Sequence, residues 1–396
     1  MIRDRFRSLR AAFPSFEIFY SMKANPSMAI VGLLQELGAG SEIASGGELF
    51  LARELGYDPL DIVFAGPGKT DRELEDAILN GVFAVNVESL RELERMSRIS
   101  KLLGVPARAA LRINTTVGLG KVGGGSAGPL HEQMAGGPSK FGIDEEKLQG
   151  LADAWDKRRI EIVGLHVYTA SQILHEDEIV ANAERTAAMA LRVEEVMGVP
   201  VQSIDFGGGL GVPHYEEEKP LDLSSLGPRV EEVFRPFRSR DGFRLILELG
   251  RFLVSESGVY MSRVLELKES RGERYVITDG GVNQFIRPVL MKIKHQAAVL
   301  NRIGAESTGT AKATGPLCTP IDVTCEELNV PADIATDDLI GLFNAGAYGY
   351  SMSPEIFLSH PTPSEVLVMG GKMHLIRERG RHEDLLLNQK RFPGLE

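Results

Sequence analysis

Residues 18–26 read Ile-Phe-Tyr-Ser-Met-Lys-Ala-Asn-Pro. The apolar and aromatic run predicts a buried strand that ends at Lys23, after which Asn25-Pro26 turns the chain. A lysine that closes a buried strand is unfavourable unless its charge is paired or its pKa is lowered. A desolvated lysine amine can form a Schiff base with an aldehyde, whereas a lone lysine more commonly extends to the surface. The remaining sequence decides between these two interpretations.

Short apolar runs alternate with helical patterns from Glu17 to about Gly250. Eight strands are predicted, over 18–22, 41–44, 62–65, 83–87, 108–113, 160–168, 203–206 and 244–247. Helices are predicted over 1–13, 27–37, 46–55, 70–79, 89–103 and 180–197. Eight successive β-α units predict a (β/α)8 TIM barrel of parallel strands, with an open doubly wound sheet as the competing fold. In such a barrel, the chemistry lies at the carboxyl ends of the strands.

The sequence pattern changes after the eighth predicted strand. Strands are predicted over 259–266, 275–278, 321–324, 339–343 and 365–368, and helical spacing is sparse. We therefore predict a barrel domain over residues 1–258 and a mostly β C-terminal domain over residues 259–396. A glycine-rich insertion at 115–137 predicts a loop at the active-site face, and its Gly118-Leu119-Gly120 is only a weak nucleotide-binding signal.

The bulk composition excludes several functional classes. The 396 residues are 43% hydrophobic and 25% charged, as in a globular protein with a sizeable core. A net charge of -11 argues against nucleic acid or an anionic membrane as the main partner. Cys318 and Cys325 are the only cysteines, which predicts no disulfide framework and a cytoplasmic location. No histidine spacing predicts a metal site, and no apolar run approaches the roughly 20 residues that span a bilayer.

Two stretches that end predicted strands carry candidate chemistry. Asp205-Phe206-Gly207-Gly208-Gly209-Leu210-Gly211 follows the seventh strand, where barrels commonly bind phosphate. Consecutive glycines let backbone amides converge on an anion, although they also suit a tight left-handed turn. Glu248 closes the eighth strand and needs a cationic or donor partner. That partner could be the pyridinium nitrogen of pyridoxal phosphate or, more simply, Arg251.

The β domain contributes a thiol and a phenol. Cys318 lies in Gly315-Pro316-Leu317-Cys318-Thr319-Pro320, where the prolines constrain the loop and favour an exposed thiol that acts as an acid. Cys325 follows an apolar run and is interpreted as core filler. Tyr348 stands among small residues and could reach a phosphate or simply pack.

Together and in this order, these stretches resemble the fold-type III pyridoxal-phosphate decarboxylases, which include the diaminopimelate, ornithine and arginine decarboxylases. The resemblance covers almost the whole chain and implies pyridoxal 5'-phosphate as the cofactor. It places the Schiff-base lysine at Lys23 and the carboxylate for the pyridinium nitrogen at Glu248. The other cofactor-binding positions that it implies are Tyr168, Ser171, Gly207, Gly208, Gly209, Gly250, Arg251 and Tyr348.

The resemblance also implies a homodimer with shared active sites, because the family's catalytic cysteine, at Cys318, comes from the other subunit. In relatives, the lysine at Lys140 pairs across the interface with the aspartate at Asp322. Arg287 falls on an arginine that helps to bind a substrate carboxylate in the diaminopimelate enzymes. The substrate-binding positions implied are therefore Arg287, Cys318 and Thr319.

The chain departs from the family pattern at several positions. Tyr168 replaces the histidine that stacks on the cofactor ring, and its aromatic face can still stack. Thr319 replaces the acidic residue that grips the distal amine of the substrate, which would leave a desolvated ammonium unpaired at a loss of about 3–5 kcal/mol. Met291 replaces a carboxylate-binding tyrosine. The strand that precedes the first helix in relatives is missing, so either the β domain is one strand short or the start codon is truncated.

Tyr168 and the Gly-Pro-Leu-Cys-Thr-Pro run most resemble a subgroup that acts on glutamyl thioesters of a carrier protein. The predicted function is therefore α-decarboxylation of an amino acid that is free or presented on an acyl carrier protein. The alternatives are a diaminopimelate decarboxylase, an amino-acid racemase on the same plan and a non-catalytic pyridoxal-phosphate carrier. Without the cofactor, the chain would be a barrel enzyme acting on a phosphorylated metabolite.

Overall fold

Eight parallel strands close into a barrel in the first of two structural units. A computed structural model describes residues 1–116 and 136–392. The strands of this unit are β1 (Phe16–Ser21), β2 (Gly40–Ile43), β3 (Ile62–Phe64), β4 (Ala84–Val87), β5 (Ala107–Asn114), β6 (Ile143–Asp144), β7 (Ile160–His166), β8 (Ser203–Asp205) and β9 (Arg244–Leu249). Apart from β6, which pairs with the end of β5, they form a closed ring through β4–β5 and β9–β1. The TIM-barrel prediction is confirmed.

Helices connect most of the barrel strands. They are α1 (Ile2–Ala12), α2 (Met28–Glu36), α3 (Gly46–Glu54), α4 (Asp71–Asn80), α5 (Leu90–Leu103), α6 (Leu148–Ala154), α7 (Glu176–Met197), α8 (Leu223–Arg238) and α9 (Arg251–Val254). Several begin at a side-chain cap, and Thr70 forms a full capping box with Glu73 at the start of α4. The sequence did not predict α8, because Pro228 and Pro236 interrupt its helical pattern. Its buried Leu226, Val230 and Phe234 nevertheless give it an apolar face.

The barrel interior changes from apolar to polar toward the carboxyl ends of the strands. One buried cluster contains Phe19, Val63, Ala84, Ala110, Val163 and Ile246. Because side chains alternate across a strand, the residue two positions later faces the same side. Those positions on β4, β5 and β9 are Asn86, Arg112 and Glu248, all of them buried. The polar end of the interior is where the family's chemistry is expected.

The second unit is built mainly from strands, as predicted. A six-stranded sheet has the order β12-β15-β10-β11-β13-β14, and β16 and β17 form a separate hairpin. The strands are β10 (Tyr260–Ser270), β11 (Glu273–Thr278), β12 (Ala297–Val299), β13 (Ser307–Thr314), β14 (Val323–Pro331), β15 (Leu339–Leu342), β16 (Glu365–Met369) and β17 (Lys372–Arg377), and α10 (Arg287–Leu290) is a short helix. Cys325 is buried with Val276, Leu328 and Ile340 in the core of this unit, so its interpretation as filler is confirmed.

The contact pattern divides the chain into Met1–Pro213 with Glu217–Leu253, and His214–Glu216 with Val254–Glu396. The domain boundary proposed from the sequence, at residues 258 and 259, remains a prediction. Among the described residues, no helix combines the length and apolar character needed to cross a membrane.

Candidate active site

Lys23 is paired with a buried carboxylate at the mouth of the barrel. It lies in the short turn Met22–Ala24 that follows β1, and its Nζ donates to the Glu42 oxygens at 2.6 and 2.8 Å. Glu42 stands on β2, which pairs with β1, and its side chain is only 1% exposed, against 37% for Lys23. A buried carboxylate needs such a partner, so the pair fixes the amine where the barrel opens. The sequence prediction did not include Glu42.

Glu48 lies close enough to this pair to be affected by its charges. Its carboxylate accepts a hydrogen bond from Ala44 N at 2.6 Å. Burial raises the pKa of Glu48, and the negative charge of Glu42 raises it further, to about 7, against the opposing effects of the Ala44 amide and Lys23. Glu48 therefore titrates near neutrality, beside a carboxylate that is paired with Lys23.

Glu248 is at the centre of a buried acid–imidazole cluster. His166 on β7, Asp205 on β8 and Glu248 on β9 place one ligand atom each within 4.8 Å of one another. The closest ion pair joins His166 Nε2 to a Glu248 oxygen at 3.4 Å. Burial alone would raise the pKa of Glu248, but His166 and the other neighbours hold it at about 2. Glu248 is therefore a carboxylate in a dry site.

The glycine turn after β8 packs directly against the end of β9. A Cβ on Gly208 would lie 1.8 Å from the Glu248 carbonyl oxygen. The Glu248 amide donates to the Gly207 carbonyl at 2.6 Å, which joins the turn to the strand. Gly250 plays a similar part at the next position, because a Cβ there would lie 2.8 Å from that of Ala24. Glycine at these positions lets the Lys23 turn, the end of β9 and the turn after β8 approach one another.

The loop after β7 lies beside the same glycine turn. Ile173 N donates to the Gly209 carbonyl at 2.8 Å, and Gly211 N donates to the Ile173 carbonyl at 2.8 Å. Ser171 lies beside this turn, because a Cβ on Gly209 would lie 2.2 Å from the carbonyl oxygen of the preceding residue, Ala170. Tyr168 is half-buried, with its ring centroid 6.4 Å from that of His166 in an edge-on arrangement. The predicted positions Tyr168 and Ser171 therefore lie in the region that contains Glu248.

A second network of buried charges braces the barrel mouth. Arg112 Nη1 contacts Glu88 at 3.0 Å, and the other donors to Glu88 are Gly66 N at 2.8 Å and Gly142 N at 3.0 Å. Burial would raise the pKa of Glu88, but Arg112 holds it below its ordinary value. The Arg112 guanidinium also lies 4.7 Å from the centroid of Phe141. The Ser139-Lys140-Phe141-Gly142 run is thus attached to the end of β5.

In the second unit, the Cys318 loop is organised around Asp322. The buried Asp322 carboxylate accepts hydrogen bonds from Val282 N at 2.8 Å and Leu317 N at 2.7 Å. A Cβ on Gly281 or Gly315 would lie 2.2 or 2.4 Å from its oxygens, so both glycines allow the backbone to wrap around the carboxylate. Cys318 itself is exposed as a free thiol. The predicted strand over 321–324 begins only at Val323, because residues 315–322 belong to this loop.

The other predicted site residues of the second unit form a local pair. The Arg287 guanidinium lies 5.4 Å from the ring centroid of Tyr348, and Arg287 is buried. Tyr348 has a φ of +56°, a conformation that is uncommon outside glycine. Thr319 lies in the Cys318 loop and is half-buried.

The barrel residues suit the cofactor that the sequence resemblance implies. Glu248 Oε1 is buried and accepts no hydrogen bond from the described residues, so a protonated ring nitrogen would satisfy it. Lys23 supplies an amine, and the turn at residues 207–209 is the kind of backbone cradle that phosphate occupies. His166, Asp205 and Glu248 could also approach one cation, but we interpret Glu248 as a cofactor contact rather than a metal ligand. The loop predicted at 115–137, with Gly118-Leu119-Gly120, falls mostly outside the described residues.

Sequence reasoning missed several members of this site. Glu42, Glu88 and Arg112 are single charged residues inside short buried strands or at their ends, and that placement is the signal that could have identified them. The sequence prediction assigned no role to His166 either. The structure brings Lys23, the glycine turn and Glu248 together, whereas the catalytic and binding roles assigned to these residues remain predictions.

Comparisons with known proteins agree on one family. Residues 1–255 match the family model described as pyridoxal-dependent decarboxylase, pyridoxal binding domain. The chain is 34% identical to the L-glutamyl-(BtrI acyl-carrier protein) decarboxylase of Niallia circulans, over 98% of this chain and 91% of the relative. It is 34% identical to the diaminopimelate decarboxylase of Methanothermobacter thermautotrophicus, over 98% and 89%. The structure of diaminopimelate decarboxylase from Helicobacter pylori with L-lysine matches with a TM-score of 0.87 at 30% identity, over 98% of this chain and 93% of that chain.

Proposed function

The chain belongs to the pyridoxal-dependent decarboxylase family, and from that premise we propose that it decarboxylates an L-glutamyl group carried as a thioester on an acyl carrier protein. Pyridoxal phosphate is the cofactor, and the chain is an amino-acid decarboxylase. Family membership therefore removes the racemase, the non-catalytic carrier and the phosphorylated-metabolite enzyme from consideration. The observation that carries the proposed substrate is the uncharged residue Thr319 next to Cys318.

The charge at position 319 separates two kinds of substrate. By resemblance, decarboxylases of free diamino acids place an acidic side chain there to pair with the distal ammonium group. Thr319 offers no charge, so burying that ammonium without a partner would be unfavourable by about 3–5 kcal/mol. A glutamyl thioester has a neutral distal end, so its binding does not bury an unpaired ammonium. The name of the Niallia circulans relative independently points to this substrate.

The chemistry of α-decarboxylation decides which carboxyl group is attached to the carrier. The α-carboxylate must be free because it leaves as CO₂. The thioester must therefore be formed by the side-chain carboxyl group of the glutamyl unit. The α-amine also remains free to react with the cofactor. Loss of CO₂ then leaves a 4-aminobutyryl group on the carrier, with the thioester bond intact.

The barrel residues have distinct tasks in this scheme. When bound, pyridoxal phosphate supplies an electron sink for the pair of electrons that the departing carboxylate leaves on the α-carbon. Lys23 provides the amine that holds the cofactor, and Glu42 keeps that amine at the mouth of the barrel. Glu248 would face the ring nitrogen and favour its protonated form, because the low pKa of Glu248 keeps this carboxylate ionised. The turn at Gly207, Gly208 and Gly209 would receive the phosphate, with Ser171 as a further contact.

The partner subunit completes the proposed site. Cys318 of the partner subunit donates the proton that replaces CO₂ on the α-carbon, and water restores the thiol. A homodimer is therefore required for turnover. This assignment rests on the family resemblance and on the exposure of the thiol in its loop. Because neither cysteine forms a disulfide, the proposal keeps the cytoplasm as the compartment.

Diaminopimelate decarboxylation is the second candidate. A diaminopimelate decarboxylase is 34% identical to the chain, and Arg287 matches an arginine that helps to bind a carboxylate in those enzymes. Thr319 and Met291 weigh against it, because they replace the acidic residue and the tyrosine that those enzymes use to bind the substrate. The two candidates differ in whether the distal end of the substrate is charged.

A matched substrate screen tests the proposal. The purified holoenzyme is given L-glutamyl thioester on a bacterial acyl carrier protein, free L-glutamate, meso-diaminopimelate, L-ornithine or L-lysine. Release of CO₂ and the mass of the carrier-bound group are measured. We expect turnover of the glutamyl carrier and a kcat/KM at least about 100-fold lower for each free amino acid, which corresponds to about 3 kcal/mol. Turnover of meso-diaminopimelate with no reaction of the loaded carrier would instead establish the second candidate.

A charge-restoring substitution gives a second arm to the test. Thr319→Asp should raise kcat/KM for free diamino acids about tenfold, because it pairs the distal ammonium, while it lowers the rate on the carrier substrate. Thr319→Ser is the matched control, since it changes the side chain without adding charge. Equal behaviour of the two variants on diamino acids would contradict the role given to this position.

A further inference from the structure

Asp205 is a buried acid at the end of β8 for which the reaction scheme above gives no task. It is 3% exposed and stands between the strands that carry His166 and Glu248. The family resemblance assigned the residues around it but not Asp205 itself. A carboxyl group in such a dry position requires a physical explanation.

Asp205 lies between the glycine turn and Glu248. Its Oδ1 accepts a hydrogen bond from Gly207 N at 2.9 Å, at the start of the glycine turn. Its other oxygen, Oδ2, is buried with no donor among the described residues, and Asp205 and Glu248 place one carboxyl oxygen each within 4.8 Å of one another. Two neighbouring carboxyl groups can hydrogen-bond only when one of them carries a proton, and a proton on Asp205 would let Oδ2 donate to Glu248.

The surrounding charges determine which carboxyl group is protonated. Burial raises the pKa of Asp205, and the negative charge of Glu248 raises it further. The neighbours His166, Asp205 and Lys23 each lower the pKa of Glu248 and so favour its ionised form. Glu42, from β2, adds a further negative charge that acts on Asp205. The cluster therefore holds its proton on Asp205 and its negative charge on Glu248.

We propose that Asp205 is a positioning residue whose protonated carboxyl group donates to Glu248 while its other oxygen holds the amide of Gly207. In this arrangement, the Asp205 side chain joins Glu248, which faces the ring nitrogen, to the glycine turn, which binds the phosphate. The spacing between the two anchors of the cofactor is then set before the cofactor binds. The proposal rests on the family's cofactor and is independent of the substrate proposed above.

Two substitutions separate this role from that of an ordinary buried acid. In Asp205→Asn, the amide oxygen can still accept from Gly207 and the amide nitrogen can still donate to Glu248. If Asp205 is neutral, this variant resembles the wild type; if it is ionised, the variant removes a charge beside Glu248. Asp205→Ala removes both contacts.

The cofactor itself provides the first readout. Equilibrium dissociation of pyridoxal phosphate and the pH titration of its bound absorbance are measured for the holoenzymes, without substrate. We expect Asp205→Asn to keep the dissociation constant within about threefold and the titration midpoint within about 0.3 pH unit. Asp205→Ala should weaken cofactor binding at least about 30-fold, because it leaves the Gly207 amide and Glu248 without their partner. A midpoint shift above about one unit in Asp205→Asn would overturn the proposal.

Infrared spectroscopy tests the proton directly and does not depend on whether Asp205→Ala folds. The difference spectrum of wild-type holoenzyme and Asp205→Asn holoenzyme should contain a protonated carboxylic-acid C=O band that moves in D₂O. Absence of that band at neutral pH would show that Asp205 is ionised and would refute the proposal. A wild-type protein that binds the cofactor but decarboxylates no carrier substrate would refute the proposed function alone.

Discussion

The barrel and the β unit hold their proposed reactive groups by different means. In the barrel, the Lys23 amine is fixed by an ion pair with Glu42, whose side chain is almost completely buried. In the β unit, the exposed Cys318 lies in a loop that is held by backbone amides donating to the buried Asp322. The barrel therefore positions its amine with an ion pair, whereas the β unit positions its thiol with backbone hydrogen bonds.

This difference matches what each group needs physically. An amine at the end of a buried strand must keep a countercharge, or its ammonium form becomes unfavourable. A thiol is neutral and tolerates exposure, so its loop needs only a defined shape. The barrel region should therefore be sensitive to the loss of a charge, whereas the Cys318 loop should be sensitive to the loss of hydrogen-bond acceptors. The following predictions test this contrast.

Removal of the Lys23 amine should have the largest effect. Lys23→Ala should lower turnover by at least about 10⁴-fold, because the nucleophile that holds the cofactor is absent. Borohydride reduction followed by peptide mapping should attach the cofactor to Lys23 in the wild type and leave the variant unlabelled. If another lysine were labelled and turnover were unchanged, Lys23 would not be the reactive amine of the barrel.

Lys69 is the matched control for this first test. It is another barrel lysine that is paired with a glutamate, although it is buried, and its Nζ lies 3.0 Å from Glu92. It donates as well to the Gly66 and Asn86 carbonyls at 2.6 and 2.9 Å, so its role is to hold backbone. Lys69→Met should lower stability without removing the borohydride label from Lys23. The comparison then separates a reactive amine at the barrel mouth from a buried structural one.

Loss of the Asp322 acceptors should have a smaller effect, and one of another kind. Asp322→Ala leaves two buried amides unsatisfied, at an expected cost of about 2–5 kcal/mol, and releases the Cys318 loop. We expect about a 10–100-fold loss of turnover and an altered rate of Cys318 alkylation, with unchanged cofactor absorbance. Thiol labelling kinetics and absorbance spectra measure the two effects.

Asp338 provides the control for that substitution. It is another buried acid of the β unit, and it accepts hydrogen bonds from Arg302, Asn301 and Ala335 N. Asp338→Ala should destabilise the protein to a similar extent but leave the rate of Cys318 alkylation unchanged. If both variants altered the thiol equally, Asp322 would have no special role in the loop.

The sequence predicts the elements of this fold better than their contacts. Lys23 and the glycine triplet follow or lie beside apolar runs, so their places at strand ends could be anticipated. Glu42 could not be connected to Lys23, because that pairing depends on the register Phe19↔Gly40 between β1 and β2. Strand β13 was missed because its sequence, Ser-Thr-Gly-Thr-Ala-Lys-Ala-Thr, has little apolar character. Long-range register and burial, which local patterns do not encode, decide these cases.

The smallest predicted effect concerns the influence of the Glu42 charge on the pKa of Glu48. The pKa of Glu48 is raised from 4.5 to about 7 in the folded protein, first by burial and then by Glu42. Between these values, the unfolded chain loses the Glu48 proton while the folded chain retains it. Folding stability should therefore fall as pH rises through this interval and level off above it, by about 1–3 kcal/mol for a partly buried group.

Urea unfolding at about pH 5 and about pH 8 measures how the free energy of unfolding changes with pH, and the variants separate the contribution of Glu48 from that of the other titrating groups. Glu48→Gln should be less sensitive to pH than the wild type, because the titrating group is gone. Glu42→Gln should reduce the slope only in part, since it removes the repulsion from Glu42 but leaves the burial of Glu48. If the slope were identical in the wild type and Glu42→Gln, no negative charge of Glu42 would reach Glu48. The charge-paired description of the barrel mouth would then have to be abandoned, while the description of the Cys318 loop would stand.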